Sequence, residues 1–395
     1  MTRIMASILV TAPFKNDERM YPHLHDTLVN LRKRYDEVIY VEDELQYRHH
    51  VDIDRLMSSY TNSDDLVTQR IIQGAIKETI GTLERSRAAY VEKLRSIVFN
   101  NNRFIVLAVD DNAFNVAMEV FPCNTVYWSF DAIGKDSPQR LNINGFVERL
   151  IRDNSKISLQ AKALIVQDAP REYHLMECLN ATFCKTIYLP VSLNDTTFCA
   201  IAALKRGQEF RLKTLKVVQS GHICCTNRYS DALARSYQGW PYGTELYFRG
   251  YIGSDFISAT EGLMRPFDIS REFYDNKVLP MIFNNFDVGF IGHQETDRNH
   301  HLIVNASSQL AAYIRLGMPV LCCGSDQLNA YVNDNKIGFA TSHPLNIHSE
   351  HITELVKNYS IYSRNARKLF EEKYDLNRHM TSALYPELDS MLNII

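Results

Sequence analysis

The feature that most constrains this chain is an alternation that runs twice: short apolar runs, each followed by a longer amphipathic stretch. The first series has apolar runs at SILVTAP (7–13), VIYVED (38–43), RFIVLAVD (103–110), NTVYWSF (124–130), KALIVQD (162–168) and KTIYLPV (185–191). A helix is predicted from Tyr21 to Arg34, and residues 64–100 carry Leu66, Ile71, Ile76, Ile80, Leu83, Tyr90 and Leu94 at helical spacing. The second series has LKVVQSG (215–221), TELYFRGY (244–251), FDVGFIG (286–292), MPVLCC (318–323) and IGFATS (337–342). Helices are predicted there over 229–237, 271–284, 306–316, 326–333, 349–358, 360–373 and onward from Asn377. Strands that alternate with helices build βαβ units around a parallel sheet, so the fold class is α/β.

The two series are separated by NDTTFCAIAALKRGQEFRLKTLK, and the expected boundary lies near residue 205. The chain has 395 residues, more than one ordinary core accommodates. The expected division is 1–205, 206–375 and a C-terminal helix over 376–395 that crosses back to the first domain.

Composition removes several classes of function. The formal net charge is -3, so nucleic acid is not expected as an electrostatic partner. There is no C-x-x-C among the eight cysteines, so neither a zinc site nor a redox motif is expected, and no metal. The N-terminus lacks a signal-peptide pattern and no window suffices to span a bilayer. With reduced thiols this predicts a cytoplasmic protein; peripheral membrane contact needs only a local patch and stays compatible with it.

In open α/β sheets, ligands bind beyond the carboxyl ends of the strands. Helix N-termini there present free N–H groups and partial positive charge, which suits phosphates. Three strand-to-helix turns are candidates. The first, residues 291–320, carries His293 and Arg298 in a polar loop and then Asn305, Ser307, Ser308 and Gln309 at a helix start. The second, residues 217–233, offers Gly221 for close backbone approach, with His222 and Arg228; an arginine can bind a phosphate group through two donors. The third, residues 127–136, offers Asp131 after a strand end. For each, the plainer reading is a capped helix or a solvated turn. Neither G-x-G-x-x-G nor a Walker A sequence is present, which counts against dinucleotide dehydrogenases and P-loop enzymes.

SSQLAAYIRLGMPVL (307–321), preceded by FDVGFIG, resembles the donor-site helix of the large retaining group of GT-B glycosyltransferases. NAYVNDNKIGFATS and KNYSIYSRNARKLFEEKYD are similar to later segments of that group. In the first half so are VYWSFD (126–131), AKALIVQDAPREYHLMECL (161–179) and IYLPVS (187–192). The resemblance implies two Rossmann-like domains facing across a cleft and transfer of a sugar, with retention, from a nucleoside diphosphate sugar to a carbohydrate or glycoconjugate acceptor. No separate cofactor is implied. Gly221, His222, His293, Arg298, Ser307, Ser308 and Gln309 are then expected at the donor, Arg228 and Asp131 in catalysis, and Phe14 and Lys15 at the acceptor. The chain departs from the group's pattern in five places, the first being that TAPFKNDERMY replaces the Gly-rich turn after the first strand. Gln309 replaces its lysine, Ala312 its glutamate, and His222 and Asn227 an arginine and a lysine, with Arg228 adjacent. A sugar-nucleotide epimerase on the same fold and a catalytically silent binding protein are the alternative readings.

Overall fold

The structure is a computed structural model that describes residues 3–12, 21–42, 86–131, 153, 155–208, 214–272, 278–294 and 298–393. Phe14 and Lys15 lie outside the described residues, as does most of the helix expected over 64–100, of which a helix over 86–95 is described. The chain divides into two compact units. Unit 1 comprises Met1–Asp17, Thr27–Leu189 and Met380–Ile395, and unit 2 comprises Glu18–Asp26 and Pro190–His379.

The sheet of unit 1 contains β1 (Ile4–Ala12), β2 (Tyr35–Glu42), β3 (Phe104–Val109), β4 (Thr125–Trp128), β5 (Ala163–Val166) and β6 (Thr186–Tyr188). Their order is β2-β1-β3-β4-β5-β6, and every pairing is parallel. β4 and β5 are buried at every position, because helices cover both faces of a parallel sheet. On one face, Phe114 stacks on Tyr127 at 4.3 Å between ring centroids, within a core that includes Leu94, Val106, Leu164 and Leu175.

The sheet of unit 2 contains β7 (Leu215–Ile223), β8 (Thr244–Ile252), β9 (Asp268–Ser270), β10 (Val288–His293), β11 (Val320–Gly324) and β12 (Gly338–Thr341). Its order is β12-β11-β10-β7-β8-β9, again parallel throughout. Counted from β7, this is the Rossmann order, with the direction of winding reversing between β7 and β10. Val217 pairs with Val288 and Gln219 with Phe290 across that seam. One face packs on Leu310, Tyr313, Ile314 and Phe370, the other on Leu233, Tyr237, Trp240 and Tyr359.

The strands follow the apolar runs closely, and four differences have physical causes. β9 has three residues, two of them exposed, so no apolar run announces it. Of the helix expected over 271–284, the described part is Leu279–Phe283, which begins at the proline-compatible first turn with Pro280. The units change over at Leu189/Pro190 rather than near 205, because the helix Thr197–Gly207 packs on the helix Tyr359–Lys373 of unit 2. The end of the chain is not one continuous helix: Leu376–His379 leads through a π-helical turn, Met380–Leu384, into Tyr385–Met391. This last helix belongs to unit 1, where Tyr385 donates to the Asn30 carbonyl at 2.9 Å and Asp389 accepts from Tyr35 at 2.8 Å.

Candidate functional site

The carboxyl ends of β7 and β10 lie side by side at the point where the winding of unit 2 reverses. Winding in opposite directions carries the following helices to opposite faces of the sheet and leaves a crevice between them. Gly221, at φ +91°, lies just past the last pairing of β7 with β10 and two residues before the end of β7. The helix Ser308–Arg315 starts beside it. Ser307 caps that helix by accepting from the Leu310 amide at 3.2 Å, and Gln309 donates through Nε2 to the Ser220 carbonyl. The first turn of the helix is thereby tied to the end of the strand, with Ser308 exposed at its opening.

Deeper in, Tyr313 anchors the same strand from below. Its ring is fully buried, and its hydroxyl lies 2.7 Å from Ser220 Oγ and accepts from the Ser220 amide at 3.1 Å. Burial pushes the Tyr313 phenol up to about 12, against the pull of the Ser220 hydrogen bonds, so it stays a neutral hydroxyl. The ring fits because residue 289 is glycine: a Cβ there would come within 2.2 Å of it.

Arg228 ends the short helix Cys225–Arg228 that follows β7. Three contacts fix this helix over the sheet. Gln219 Nε2 donates to the Arg228 carbonyl at 3.1 Å, Gln294 Nε2 donates to the Cys225 carbonyl at 2.8 Å, and Asp255 accepts from the Cys225 amide at 2.8 Å. The approach is so close that a Cβ at residue 292 would sit 2.3 Å from the Arg228 carbonyl oxygen, which only glycine avoids. The Arg228 side chain places Nη1 2.8 Å from Nδ1 of His293. His293 is the last residue of β10 and 2% exposed. Burial, then the Arg228 charge, then His300 hold its pKa well below the usual histidine value, so it is a neutral acceptor for the guanidinium. His222 is also shifted down, first by burial and then by Arg228, with Asp255 opposing.

The sequence-expected donor residues other than Arg298, together with the expected catalytic Arg228, therefore fall into two linked groups. Gly221, Ser307, Ser308 and Gln309 surround the start of one helix; Arg228, His293 and His222 surround the end of another. Gln219 and Tyr313 tie both groups to β7, Gln219 through the Arg228 carbonyl and Tyr313 through Ser220. Arg298 opens the short helix Arg298–His301 on the segment after β10. Two amide oxygens at this point, Gln219 Oε1 and Gln309 Oε1, are buried and accept no hydrogen bond from the described residues. Sequence reasoning missed Gln219, whose bond to the Arg228 carbonyl spans nine residues, and Ser220 and Gly292, whose roles arise from contacts over long separations in the chain. Tyr313 was within reach, as the aromatic of the quoted 307–321 stretch.

Asp131 lies at the carboxyl end of β4 in unit 1. Its side chain is 71% exposed and pairs with Arg171 at 3.1 Å. Arg171, by contrast, is 3% exposed and donates to Gln167 Oε1 at 2.7 Å and to the Phe130 carbonyl at 2.6 Å. Gln167 donates in turn to the Ser129 carbonyl at 2.8 Å, so the turn after β4 is held by groups from the end of β5. At the end of β3, Asp110 adopts φ +61° and accepts from the Phe130 amide at 2.9 Å.

No protein-family model matches this sequence, and no curated protein is similar to it by sequence. Solved structures do match it in shape. An alpha,alpha-trehalose-phosphate synthase (UDP-forming) from Burkholderia vietnamiensis superimposes with a TM-score of 0.60 at 10% identity, covering 98% of this chain and 100% of that one. HepE of Anabaena in complex with UDP-glucose gives 0.59 at 10% identity, covering 99% and 100%. A sucrose-phosphate synthase from Thermosynechococcus elongatus gives 0.54 at 14% identity, covering 78% and 79%. With two parallel Rossmann-like sheets and these neighbours across nearly the whole chain, the fold is that of the GT-B glycosyltransferases.

Proposed function

We propose that this protein is a glycosyltransferase that moves a sugar from a nucleoside diphosphate sugar to an acceptor. One observation carries the reading: at the winding reversal of unit 2, the N-terminus of Ser308–Arg315 and the Arg228 guanidinium both sit at the carboxyl ends of β7 and β10. Amide N–H groups and a helix dipole on one side, and a fixed cation on the other, suit a diphosphate. Charge on the departing diphosphate is where such a reaction needs most stabilisation, and a preorganised cation supplies it. Neutral His293 orients Arg228 without competing for the anion. The buried oxygens of Gln219 and Gln309 are acceptors left without a partner among the described residues at this seam. Neighbours of the same fold were solved with UDP and with UDP-glucose, which supports a uridine diphosphate sugar as the first donor to try.

The acceptor is assigned to unit 1, with Asp131, Phe14 and Lys15 as its contacts. Retention at the anomeric carbon belongs to the same proposal and rests on the resemblance of the 307–321 stretch. Titration calorimetry with UDP, GDP and ADP tests the donor site. We expect binding of one of them and a loss of about tenfold or more in Arg228→Ala, the scale of a charge-assisted contact. Absence of binding by all three would favour the second reading, a silent binding protein. A specific observation supports that reading: Ala312 stands where the related transferases carry a carboxylate.

A further inference from the structure

The helix Thr197–Gly207 is apolar on both sides. Its inner side buries Cys199, Ala202 and Ala203 in unit 2. Its outer side leaves Phe198 40%, Ile201 49% and Leu204 64% exposed, three large apolar side chains at successive turns of one face. Scattered exposed apolar residues are ordinary, but an aligned set on a helix is an interaction surface. The charge carried by this helix itself is of one sign. Lys205 projects from the same face, and no acidic residue lies within the helix. The neighbouring helix Tyr359–Lys373 packs against it, and Arg364 joins the two by donating to the Gly207 carbonyl at 2.8 Å. On the exposed face of that second helix are Ile361, 46% exposed, and Lys368. Of the six cations on the two helices, Arg206 is buried, Arg367 pairs with Asp195 and Glu371, and Lys368 lies 3.8 Å from Glu372, so Lys205 and Arg364 are the exposed cations beside the stripe with no carboxylate partner among the described residues.

We propose that this helix pair docks on an anionic lipid surface, with Phe198, Ile201 and Leu204 entering the interface and Lys205, Arg364 and Lys368 meeting the headgroups. An apolar stripe flanked by cations is the combination that binds a bilayer surface without crossing it. Among the described residues no helix is long and apolar enough to cross a membrane. A second copy of this chain suits the face less well, since a two-fold contact would bring the cations of one copy against those of the other. The inference does not depend on the transferase reading, because none of these residues belongs to the β7/β10 site.

The test is sedimentation of the full chain with vesicles of phosphatidylcholine, with and without phosphatidylglycerol. Binding is expected only with phosphatidylglycerol present, and weakened by salt. The double variant Ile201→Glu with Leu204→Glu should lose about tenfold or more in binding while keeping its thermal transition, because both side chains are exposed. Lys205→Glu should weaken binding by more than about fivefold, the effect of removing one cation near such a surface. No binding to either vesicle would overturn the proposal, as would equal binding by the double variant. A dimer of the wild-type chain that the double variant dissociates would show instead that a second copy covers the face.

Discussion

The contact between Tyr313 and Ser220 gives the sharpest test of how the nucleotide-type site is built. Tyr313→Phe removes one hydroxyl and leaves the ring in place. Three contacts go with it: the 2.7 Å bond to Ser220 Oγ, the 3.1 Å bond accepted from the Ser220 amide, and a long 3.5 Å contact to the Val218 carbonyl that adds little. Both partners are buried, Tyr313 fully and Ser220 at 7% exposure. The hydroxyl pair contributes about 1 kcal/mol, and an amide left without an acceptor costs about 1–2 kcal/mol more, so Tyr313→Phe should destabilise unit 2 by roughly 2–3 kcal/mol. Ser220→Ala removes only the hydroxyl partner, because the amide still reaches Tyr313, and should cost about 1 kcal/mol. The double variant should cost about as much as Tyr313→Phe alone, a coupling of about 1 kcal/mol. Urea unfolding followed by tryptophan fluorescence is the assay, with Trp240 reporting on unit 2 and Trp128 on unit 1. At about 2–4 °C per kcal/mol, the Tyr313→Phe melting shift is roughly 4–12 °C. A loss under about 0.5 kcal/mol in Tyr313→Phe, or strict additivity in the double variant, would refute the claim that this bond fixes the carboxyl end of β7.

Three further outcomes follow from the geometry. Gly292→Ala puts a Cβ 2.3 Å from the Arg228 carbonyl, so the Cys225–Arg228 turn must move; nucleotide-induced thermal stabilisation should disappear, with about 1–3 kcal/mol of stability lost in urea. Arg265 donates to the carbonyls of Tyr237, Trp240, Pro241 and Thr244 and lies over the Tyr237 ring at 4.0 Å, so Arg265→Ala should destabilise by about 2–4 kcal/mol in the same assay. His23 is held down to about 4 by burial, and His293 is also held well below the usual value. Both bind protons more readily when unfolded, so stability is full above about pH 6.5 and falls as pH drops toward 4. The His23 share is about 3 kcal/mol, and His23→Gln should flatten the pH slope of the urea midpoint between those limits.

The sequence by itself determined the class of fold and most of the strand positions. A parallel sheet covered on both faces requires unbroken apolar runs, and runs such as ALIV at Ala163–Val166 and VLCC within β11 have no alternative use. It also marked two strand-to-helix turns of unit 2, because Gly221 and the Ser307 cap are local signals. What it left open was decided by contacts between distant residues. Short exposed β9 has no pattern of its own and exists because β8 offers it an edge, with Tyr247 registered on Asp268. The change of unit at Leu189/Pro190 is fixed by where the Thr197–Gly207 helix finds an apolar partner, which no composition shift marks. The burial of His293, and hence its neutral pairing with Arg228, requires the whole order β12-β11-β10-β7-β8-β9. In sequence His293 stands in a polar stretch beside charged residues and reads as solvated. Only strand order brings the end of β10 against the end of β7, and burial at that seam keeps the imidazole neutral.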